Sequence, residues 1–81
     1  MSLQTIKYEE LDEGRIIRIC LNRPKTLNAM NMPFFNEIRD TFKKINEHEK
    51  ARAVILQGEG KIFTSGLDLK EMGSLFSSGD T

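Results

Sequence analysis

The stretch Lys61–Met72 reads KIFTSGLDLKEM and places a glycine-containing turn between an apolar strand and the start of a helix. Gly66 permits backbone angles that are barred to other residues, and the carboxylate of Asp68 can cap the helix that follows. A turn of this kind leaves backbone N–H groups pointing outward, and such groups bind oxyanions well. We therefore expect the chemistry of the chain to lie at this turn.

The residues ahead of the turn indicate a strand that is reached through a helix. Ala53–Leu56 is apolar on both faces of its pleat, which is typical of a central strand in a parallel sheet. A helix is predicted over about 31–46, with Asn31 as its cap and Pro33 in its first turn. Its apolar residues recur at three and four positions, as a core-facing stripe requires: Phe34, Phe35, Ile38, Phe42 and Ile45.

The N-terminal part of the chain predicts a β-hairpin. Apolar and polar residues alternate over 5–11, which indicates a half-exposed strand, and 12–14 supplies the residues of a turn. A second strand is predicted over 15–21. It is expected to be well buried, because three large aliphatic residues share one of its faces: Ile17, Ile19 and Leu21.

Two irregular segments separate or follow these elements. Pro24 removes a backbone donor and ends the second strand. The loop after it is expected to be buried, because it keeps apolar side chains at Leu27, Ala29 and Met30. Serine and glycine dilute 73–81, which predicts a flexible tail after a short helix. The order strand, strand, helix, strand, short helix indicates an α/β fold.

Composition bounds the function. The 81 residues make one small domain with little room for a deep pocket. The 12 basic and 12 acidic side chains cancel, which argues against nucleic acid or an anionic membrane as a partner, because both select a basic face. No apolar run approaches the roughly 20 residues that span a bilayer, and the first residues lack the layout of a signal peptide. We therefore expect a soluble intracellular chain.

The side chains with reactive potential have plain structural explanations. Cys20 lies in a predicted strand and has no second cysteine to pair with, so it is expected to be a buried small hydrophobe rather than a catalytic thiolate. His48 has no other His or Cys nearby and is expected at a solvated helix end, so no metal site is predicted. The glycines within 58–60 do not form a phosphate loop, because Ile62 stands where that loop has Ser or Thr.

Two blocks of the sequence carry a resemblance to a known family. They are LNRPKTLNAM at 21–30 and GEGKIFTSGLDLKEM at 58–72, and they resemble the two N-terminal signatures of the crotonase superfamily, the enoyl-CoA hydratases and isomerases. Both blocks stand in the right order, and the resemblance covers about 6–72. A large aliphatic residue, Leu67, precedes Asp68 where hydratases commonly carry Ala. In this respect the chain is most similar to dienoyl-CoA isomerases.

The resemblance implies a fold and the share of it that is present. Residues 1–81 look like the N-terminal third of a crotonase-type ββα spiral, and so form a single incomplete domain. Family members are much longer, which predicts that the chain is a fragment. The complete protein is expected to be a homo-oligomer, a trimer or hexamer. It is expected in the mitochondrion or peroxisome of a eukaryote, or in the cytoplasm of a bacterium.

The resemblance also implies a function. Crotonases bind an acyl-CoA thioester and stabilise an enolate oxygen with two backbone N–H groups, one of which corresponds to the N–H of Leu67. The expected activity is that of an enoyl-CoA hydratase or isomerase of fatty-acid oxidation, of the dienoyl-CoA isomerase type. Coenzyme A is part of the substrate, so no separate cofactor is expected. The second donor and the acid/base residues of the family lie beyond Thr81, so the chain alone is expected to be inactive.

The resemblance implies a set of substrate contacts around the turn. They are Lys25, Leu27, Ser65, Gly66, Leu67, Asp68, Leu69 and Lys70. Lys25 and Lys70 are candidate partners for the phosphates of CoA, with an ordinary solvated lysine as the alternative for each, and Arg23 is a weaker candidate. Asp68 and Glu71 stand one helical turn apart and could be mistaken for an acid/base pair. The family pattern makes Asp68 a structural cap instead and gives Glu71 no proton to transfer.

A second hypothesis stays open. A segment of this length leaves strand edges and the apolar face of Ala53–Leu56 uncovered, which favours self-association. The chain would then be a non-catalytic CoA-binding or self-associating module that kept the first unit of the fold. A gene that continues past Thr81 with a glycine-rich helix start and acidic residues favours the enzyme. A gene that stops at Thr81 favours the module.

Overall fold

The computed structural model describes residues 3–78 and shows a three-stranded sheet with a long helix packed on one face. The strands are β1 (Ile6–Leu11), β2 (Ile16–Leu21) and β3 (Ala53–Gly58), and the helices are α1 (Met32–Asn46) and α2 (Leu69–Ser78). Short 3-10 turns at Asp12–Gly14 and Pro24–Thr26 follow β1 and β2. The predicted order of elements and the α/β class are confirmed.

β1 and β2 form the predicted hairpin. They pair antiparallel, with Tyr8 opposite Ile19 near the middle of the ladder. The connection at 12–14 uses left-handed backbone throughout and ends at Gly14 with a φ of 89°, a conformation that glycine adopts readily. A Cβ at Gly14 would come 3.1 Å from Cε1 of His48. The hairpin turn therefore packs closely against the segment that follows α1.

β3 extends the sheet on the far side of β2. The two strands pair in parallel, and α1 forms the crossover that a parallel pair requires. The prediction of a parallel strand is confirmed. Its predicted central position is wrong for the part of the chain that the structure describes, where β3 lies at the edge of the sheet. Ile55 and Leu56 are consequently 42% and 48% exposed.

The hydrophobic core lies between α1 and one face of the sheet. Its centre is Ile17 and Ile19, and both are fully buried. The rest of the buried cluster comes from β1, β2 and α1: Ile6, Leu21, Phe34 and Ile45. Burial of each such side chain stabilises the fold by about 1.5–3 kcal/mol. A slip of one residue in β2 would turn this face to solvent, so the core also fixes the strand register.

α1 begins and ends where the sequence predicts. Asn31 Oδ1 accepts a hydrogen bond from the N–H of Phe34 at 3.0 Å, which confirms the predicted cap. Pro33 lies in the first turn, where its missing N–H costs nothing. The remaining apolar residues of the predicted stripe pack against the core at partial burial: Phe35, Ile38 and Phe42.

Two predictions for the irregular segments differ from the structure. The loop after Pro24 is not buried at Leu27, which is 52% exposed because the 3-10 turn ends there in left-handed backbone with a φ of 56°. α2 continues through 73–78, where a flexible tail was predicted. The rest of that predicted tail, 79–81, lies outside the described residues.

Candidate functional site

The turn predicted to carry the chemistry is held by a second loop. Segments 27–30 and 65–68 lie side by side as a short parallel pairing centred on Met30. The Met30 N–H donates to the oxygen of Gly66 at 2.8 Å, and the Met30 oxygen accepts from the N–H of Asp68 at 2.9 Å. The two sequence blocks therefore meet in space, at the point where the sequence predicted the site.

This pairing turns the backbone N–H of Leu67 outward. Successive N–H groups of an extended segment point to opposite edges, and the groups on either side of Leu67 face Met30. Within residues 3–78 the N–H of Leu67 donates to no protein acceptor. Leu67 as a whole residue is 40% exposed. A backbone N–H that is fixed by its neighbours and is not used by a protein acceptor is available to donate to an oxyanion.

Three residues ahead of this open N–H shape the turn. Gly66 has a φ of 96°, which side-chain-bearing residues rarely adopt. The hydroxyl of Thr64 donates to the oxygen of Asn28 at 2.6 Å and accepts from the Gly66 N–H at 3.1 Å. The Ser65 N–H donates to the oxygen of Leu27 at 2.9 Å. The turn is thus held both by its own hydroxyl and by the neighbouring loop.

Asp68 caps α2, as predicted. Its Oδ1 accepts from the N–H of Glu71 at 3.1 Å, and its Oδ2 accepts from Nη1 of Arg23 at 3.1 Å. The hydrogen bond from the Glu71 N–H, assisted by the Arg23 guanidinium, holds the pKa of the Asp68 carboxyl below its usual range although burial opposes this. Asp68 is therefore an ionised structural group at neutral pH.

Arg23 is directed toward the protein rather than toward a ligand. Its side chain is 18% exposed. Besides Asp68, it donates to the oxygen of Ala29 at 2.5 Å and to the carboxylate of Glu71 at 3.1 Å. Glu71 also accepts from Nδ2 of Asn31 at 3.0 Å, which connects this network to the start of α1. Arg23 is the weakest of the three cationic candidates for a CoA contact in the sequence, and no residue pattern there indicates this structural role.

Asn28 is the site residue that sequence reasoning missed. It is 2% exposed and has a φ of 55°. Its Oδ1 accepts from the N–H of Arg23 at 2.7 Å, and its Nδ2 donates to the oxygens of Glu59 and Ile62 at 2.8 and 3.0 Å. One amide therefore joins three segments of the chain. The sequence signal that could have indicated this role is a single amide side chain between apolar residues, Leu27 and Ala29. Asn also tolerates left-handed backbone better than most residues do.

The open N–H lies beside a shallow depression of about 710 Å³. Four of the predicted contacts line it: Leu67, Asp68, Leu69 and Lys70. Three further residues complete the lining: Thr26, Ala29 and Glu71. The depression thus combines exposed aliphatic side chains, among them Leu69 at 68% exposure, with one exposed cation and the outward backbone donor.

The other predicted contacts lie elsewhere. Lys25 lines an adjacent depression of about 310 Å³, which shares Thr26 with the first. Leu27, Ser65 and Gly66 act in the pairing behind the open N–H, where their backbone groups are used. The structure therefore separates the predicted contacts into four residues that line the first depression, one that lines the adjacent depression, and three that lie in the supporting pairing.

The two remaining reactive side chains have structural roles. Cys20 is buried as expected, on the face of β2 opposite the core cluster, and burial raises the pKa of its thiol. The expectation of a solvated His48 is wrong, because Nδ1 accepts from the N–H groups of Lys50 and Ala51 and Nε2 lies 3.1 Å from the Glu10 carboxylate. Among the described residues, no group of three or more His, Cys, Asp or Glu side chains could hold a metal ion. None of the helices described there is long and apolar enough to cross a membrane.

Comparison with known proteins identifies the family. The family model described as enoyl-CoA hydratase/isomerase matches residues 12–80, which include both loops of the site. The chain belongs to the enoyl-CoA hydratase/isomerase family. The resemblance to crotonases that the sequence blocks carry is thereby confirmed.

Named relatives and solved structures agree with this family. The chain is 45% identical over 62 residues to the mitochondrial Delta(3,5)-Delta(2,4)-dienoyl-CoA isomerase of Mus musculus, a match that covers 76% of this chain and 19% of that protein. A crystal structure of an enoyl-CoA hydratase/isomerase from Mycobacterium paratuberculosis superposes with a TM-score of 0.80 at 37% identity, covering 88% of this chain and 26% of that one. For the enoyl-CoA hydratase of Bacillus anthracis the TM-score is 0.79 at 34% identity, with 86% and 27% covered.

These comparisons confirm the fold and bound its extent. The three-stranded sheet and helix of this enoyl-CoA hydratase/isomerase segment belong to the crotonase fold of the solved structures. The chain spans about a fifth of the length of the curated isomerase, at 19%, and about a quarter of each solved structure, at 26% and 27%.

We expect Asn28→Ala to lower the free energy of unfolding by about 2–4 kcal/mol, because it leaves the Arg23 N–H and two backbone oxygens without their partner. Urea unfolding of the chain, followed by circular dichroism, measures this change. Asn46→Ala, at the exposed end of α1, is the matched control and should change stability by less than about 0.5 kcal/mol. Equal losses of stability in the two variants would show that the hydrogen bonds of Asn28 do not hold the three segments together.

We expect Asp68→Asn to lower the melting temperature at neutral pH and to lose this effect in acid. Asn keeps an oxygen for the Glu71 N–H, so the substitution removes the charge beside Arg23. The folded-state pKa of Asp68 is lowered, so ionised Asp68 stabilises the folded state above its unfolded pKa of about 3.9. This stabilisation is lost as the pH falls through the folded-state pKa.

Thermal melts at a series of pH values measure this difference between wild type and Asp68→Asn. Asp40→Asn is the control, because Asp40 pairs with Arg39 on the exposed side of α1 and should give a small difference at every pH. A gap between wild type and Asp68→Asn that stays constant down to about pH 2 contradicts the expected linkage.

Proposed function

We propose that this chain is the segment of an enoyl-CoA hydratase/isomerase that supplies one backbone donor of an oxyanion hole to an acyl-CoA thioester. The observation that carries the proposal is the outward N–H of Leu67 beside the depression lined by Thr26, Ala29 and 67–71. Membership of the family supports the substrate class, because the family is described by its enoyl-CoA reactions. The open shape of the depression suits a long substrate that lies across the surface.

The chemistry asked of this donor is stabilisation of negative charge. Removal of a proton next to a thioester carbonyl moves charge onto the carbonyl oxygen and gives an enolate. A backbone N–H about 2.7–3.1 Å from that oxygen stabilises it, and loss of one such donor typically costs about 2.7–4 kcal/mol. Hydrogen bonds on both sides of Leu67 already fix this N–H, so little reorganisation is required during reaction.

The chain holds only part of the proposed constellation. Asp68 and Glu71 do not move the substrate protons in this proposal, because both carboxylates are engaged by Arg23, and Glu71 also by Asn31. We assign the second backbone donor and the acid/base residues to a longer protein that contains this segment. The curated isomerase, of which the chain covers 19%, has room for them.

Within the family we propose double-bond isomerisation of a dienoyl-CoA. The 45% identity to the mouse dienoyl-CoA isomerase supports this choice, as does the large aliphatic side chain of Leu67. Leu67 is 40% exposed and lines the depression, where its side chain would lie beside the acyl chain next to the thioester. The CoA of the substrate is the only carrier group that the proposal requires.

Lys25 and Lys70 are the proposed contacts for the phosphates of CoA. Both side chains are exposed, and they line the two depressions that share Thr26. An exposed ion pair contributes about 0.2–1 kcal/mol, so we assign these lysines to substrate affinity rather than to the chemical step.

A second candidate function is favoured by the uncovered strand β3. Ile55 and Leu56 are 42% and 48% exposed, and a strand at the edge of a sheet can pair with another chain. The chain would then bind CoA or associate with itself without turnover. Turnover measurements distinguish this function from the first one.

In the longer protein, we expect Leu67→Pro to abolish turnover of a 3,5-dienoyl-CoA, because proline has no N–H to donate. Leu67→Ala keeps the backbone donor and should retain much of the activity. Initial rates, followed by the absorbance change of the shifting double bonds, measure both variants. Circular dichroism confirms that each variant is folded, and equal losses in the two would overturn the assignment of the donor.

The 81-residue chain by itself is expected to show no turnover of a dienoyl-CoA or an enoyl-CoA, since it supplies one proposed donor without the acid/base residues. The measurement is the same absorbance assay at high protein concentration, with a mock preparation as the control. Turnover above that control would show that the chain carries its own acid/base groups.

A further inference from the structure

Arg23 reaches both loops of the site from the end of β2. Its Nη1 donates to the oxygen of Ala29 at 2.5 Å and to Oδ2 of Asp68 at 3.1 Å. Its Nη2 donates to Oε2 of Glu71 at 3.1 Å. The side chains of Arg23 and Asp68 are 18% and 10% exposed, so their contact is largely shielded from water.

These contacts bracket the open N–H of Leu67. Ala29 directly precedes Met30, whose backbone is hydrogen-bonded to the residues on either side of Leu67. Asp68 directly follows Leu67 in the chain. One nitrogen of Arg23 contacts both Ala29 and Asp68, and therefore sets the distance between the two segments of the pairing. The guanidinium is planar with donors in fixed directions, so it constrains the angle between the segments as well as their distance.

We propose that Arg23 is a positioning residue that sets the direction of the Leu67 N–H, acting through Ala29 and Asp68. The inference rests on the proposed role of Leu67 as an oxyanion donor. It does not require Arg23 to touch the substrate, because its guanidinium is directed at three protein groups. If segment 67–68 rotated away from segment 29–30, the N–H of Leu67 would no longer point at the substrate oxygen, although the core would stay folded.

Lysine cannot perform this role at position 23. Its single ammonium can remain beside Asp68 and keep the charge pair, but it lacks the planar fork that holds the Ala29 oxygen and Glu71 at the same time. A purely structural ion pair would tolerate lysine well. A positioning role would not, which makes Arg23→Lys the informative substitution.

The first test is steady-state kinetics of the longer protein with a 3,5-dienoyl-CoA. We expect Arg23→Lys to lower kcat by about ten- to a hundredfold, since small misplacement of a catalytic group has effects of this size. KM should change by less than about threefold, because the donor acts mainly on the transition state. Arg18→Lys is the matched control on β2, where Arg18 pairs with Glu9 on the exposed side of the sheet, and both constants should stay within about twofold.

The second test is amide hydrogen exchange of the 81-residue chain, read by NMR. The N–H groups of Met30 and Asp68 form the pairing, so we expect each to exchange about tenfold faster in Arg23→Met. The N–H of Ile19, in the core of the sheet, should be unchanged. Unchanged exchange at Met30 and Asp68 overturns the proposal. If Arg23→Met does not fold, Arg23→Lys decides the outcome by the same readout.

The kinetic outcomes separate this inference from the function on which it rests. If Leu67→Pro leaves turnover intact, the oxyanion role of Leu67 fails, and the positioning role fails with it. If Leu67→Pro abolishes turnover while Arg23→Lys keeps kcat, only the positioning role of Arg23 fails. A fall in kcat for Arg23→Lys with a steady KM and faster exchange at Asp68 supports it.

Discussion

The backbone pairing of 27–30 with 65–68 is the constraint on which the candidate site depends. Each loop alone would leave its N–H and C=O groups to water and would sample many conformations. Together they satisfy one another around Met30, and the alternation of an extended chain leaves one donor facing out. Each such hydrogen bond contributes a net of about 0.5–1.5 kcal/mol, so the geometry depends on several of them acting together.

Two partly or fully buried polar side chains make this pairing specific. Asn28 fixes the first loop to 59–62, and Arg23 fixes it to the start of α2. They disfavour other arrangements of the two loops, because a buried donor or acceptor left without a partner costs about 1–3 kcal/mol of folding free energy. The sheet supports both residues: β2 ends just ahead of Arg23, and its core face keeps that end in place.

Much of the fold could be predicted from the sequence, because its signals are local. The α1 cap at Asn31 and the buried face of β2 depend on residues within a few positions of each other, and both predictions hold. Arg23 contacts Asp68 and Glu71 across 45 and 48 positions, and no periodicity reports such a contact. The expected solvation of His48 is wrong for the same reason, since its carboxylate partner Glu10 lies 38 positions away.

The structure of the turn was predicted in outline, but the placement of the residues around it was not. The turn around Gly66 and the cap at Asp68 follow from residue type alone, and the structure has both. The predicted burial of Leu27 failed because apolar composition does not reveal a left-handed turn end. Among the residues carried over from the resemblance, Leu67 to Lys70 line the depression, while Leu27, Ser65 and Gly66 lie in the pairing behind it.

A main-chain donor has a consequence for how such a site can diversify. Every amino acid except proline presents the same N–H at position 67, so substitutions there leave the proposed oxyanion donor in place. The side chain at the same position forms part of the wall of the depression and is free to change in size. In the proposed function, the donor to the oxyanion and the surface beside the acyl chain thus belong to one residue, and the side chain can change while the donor stays.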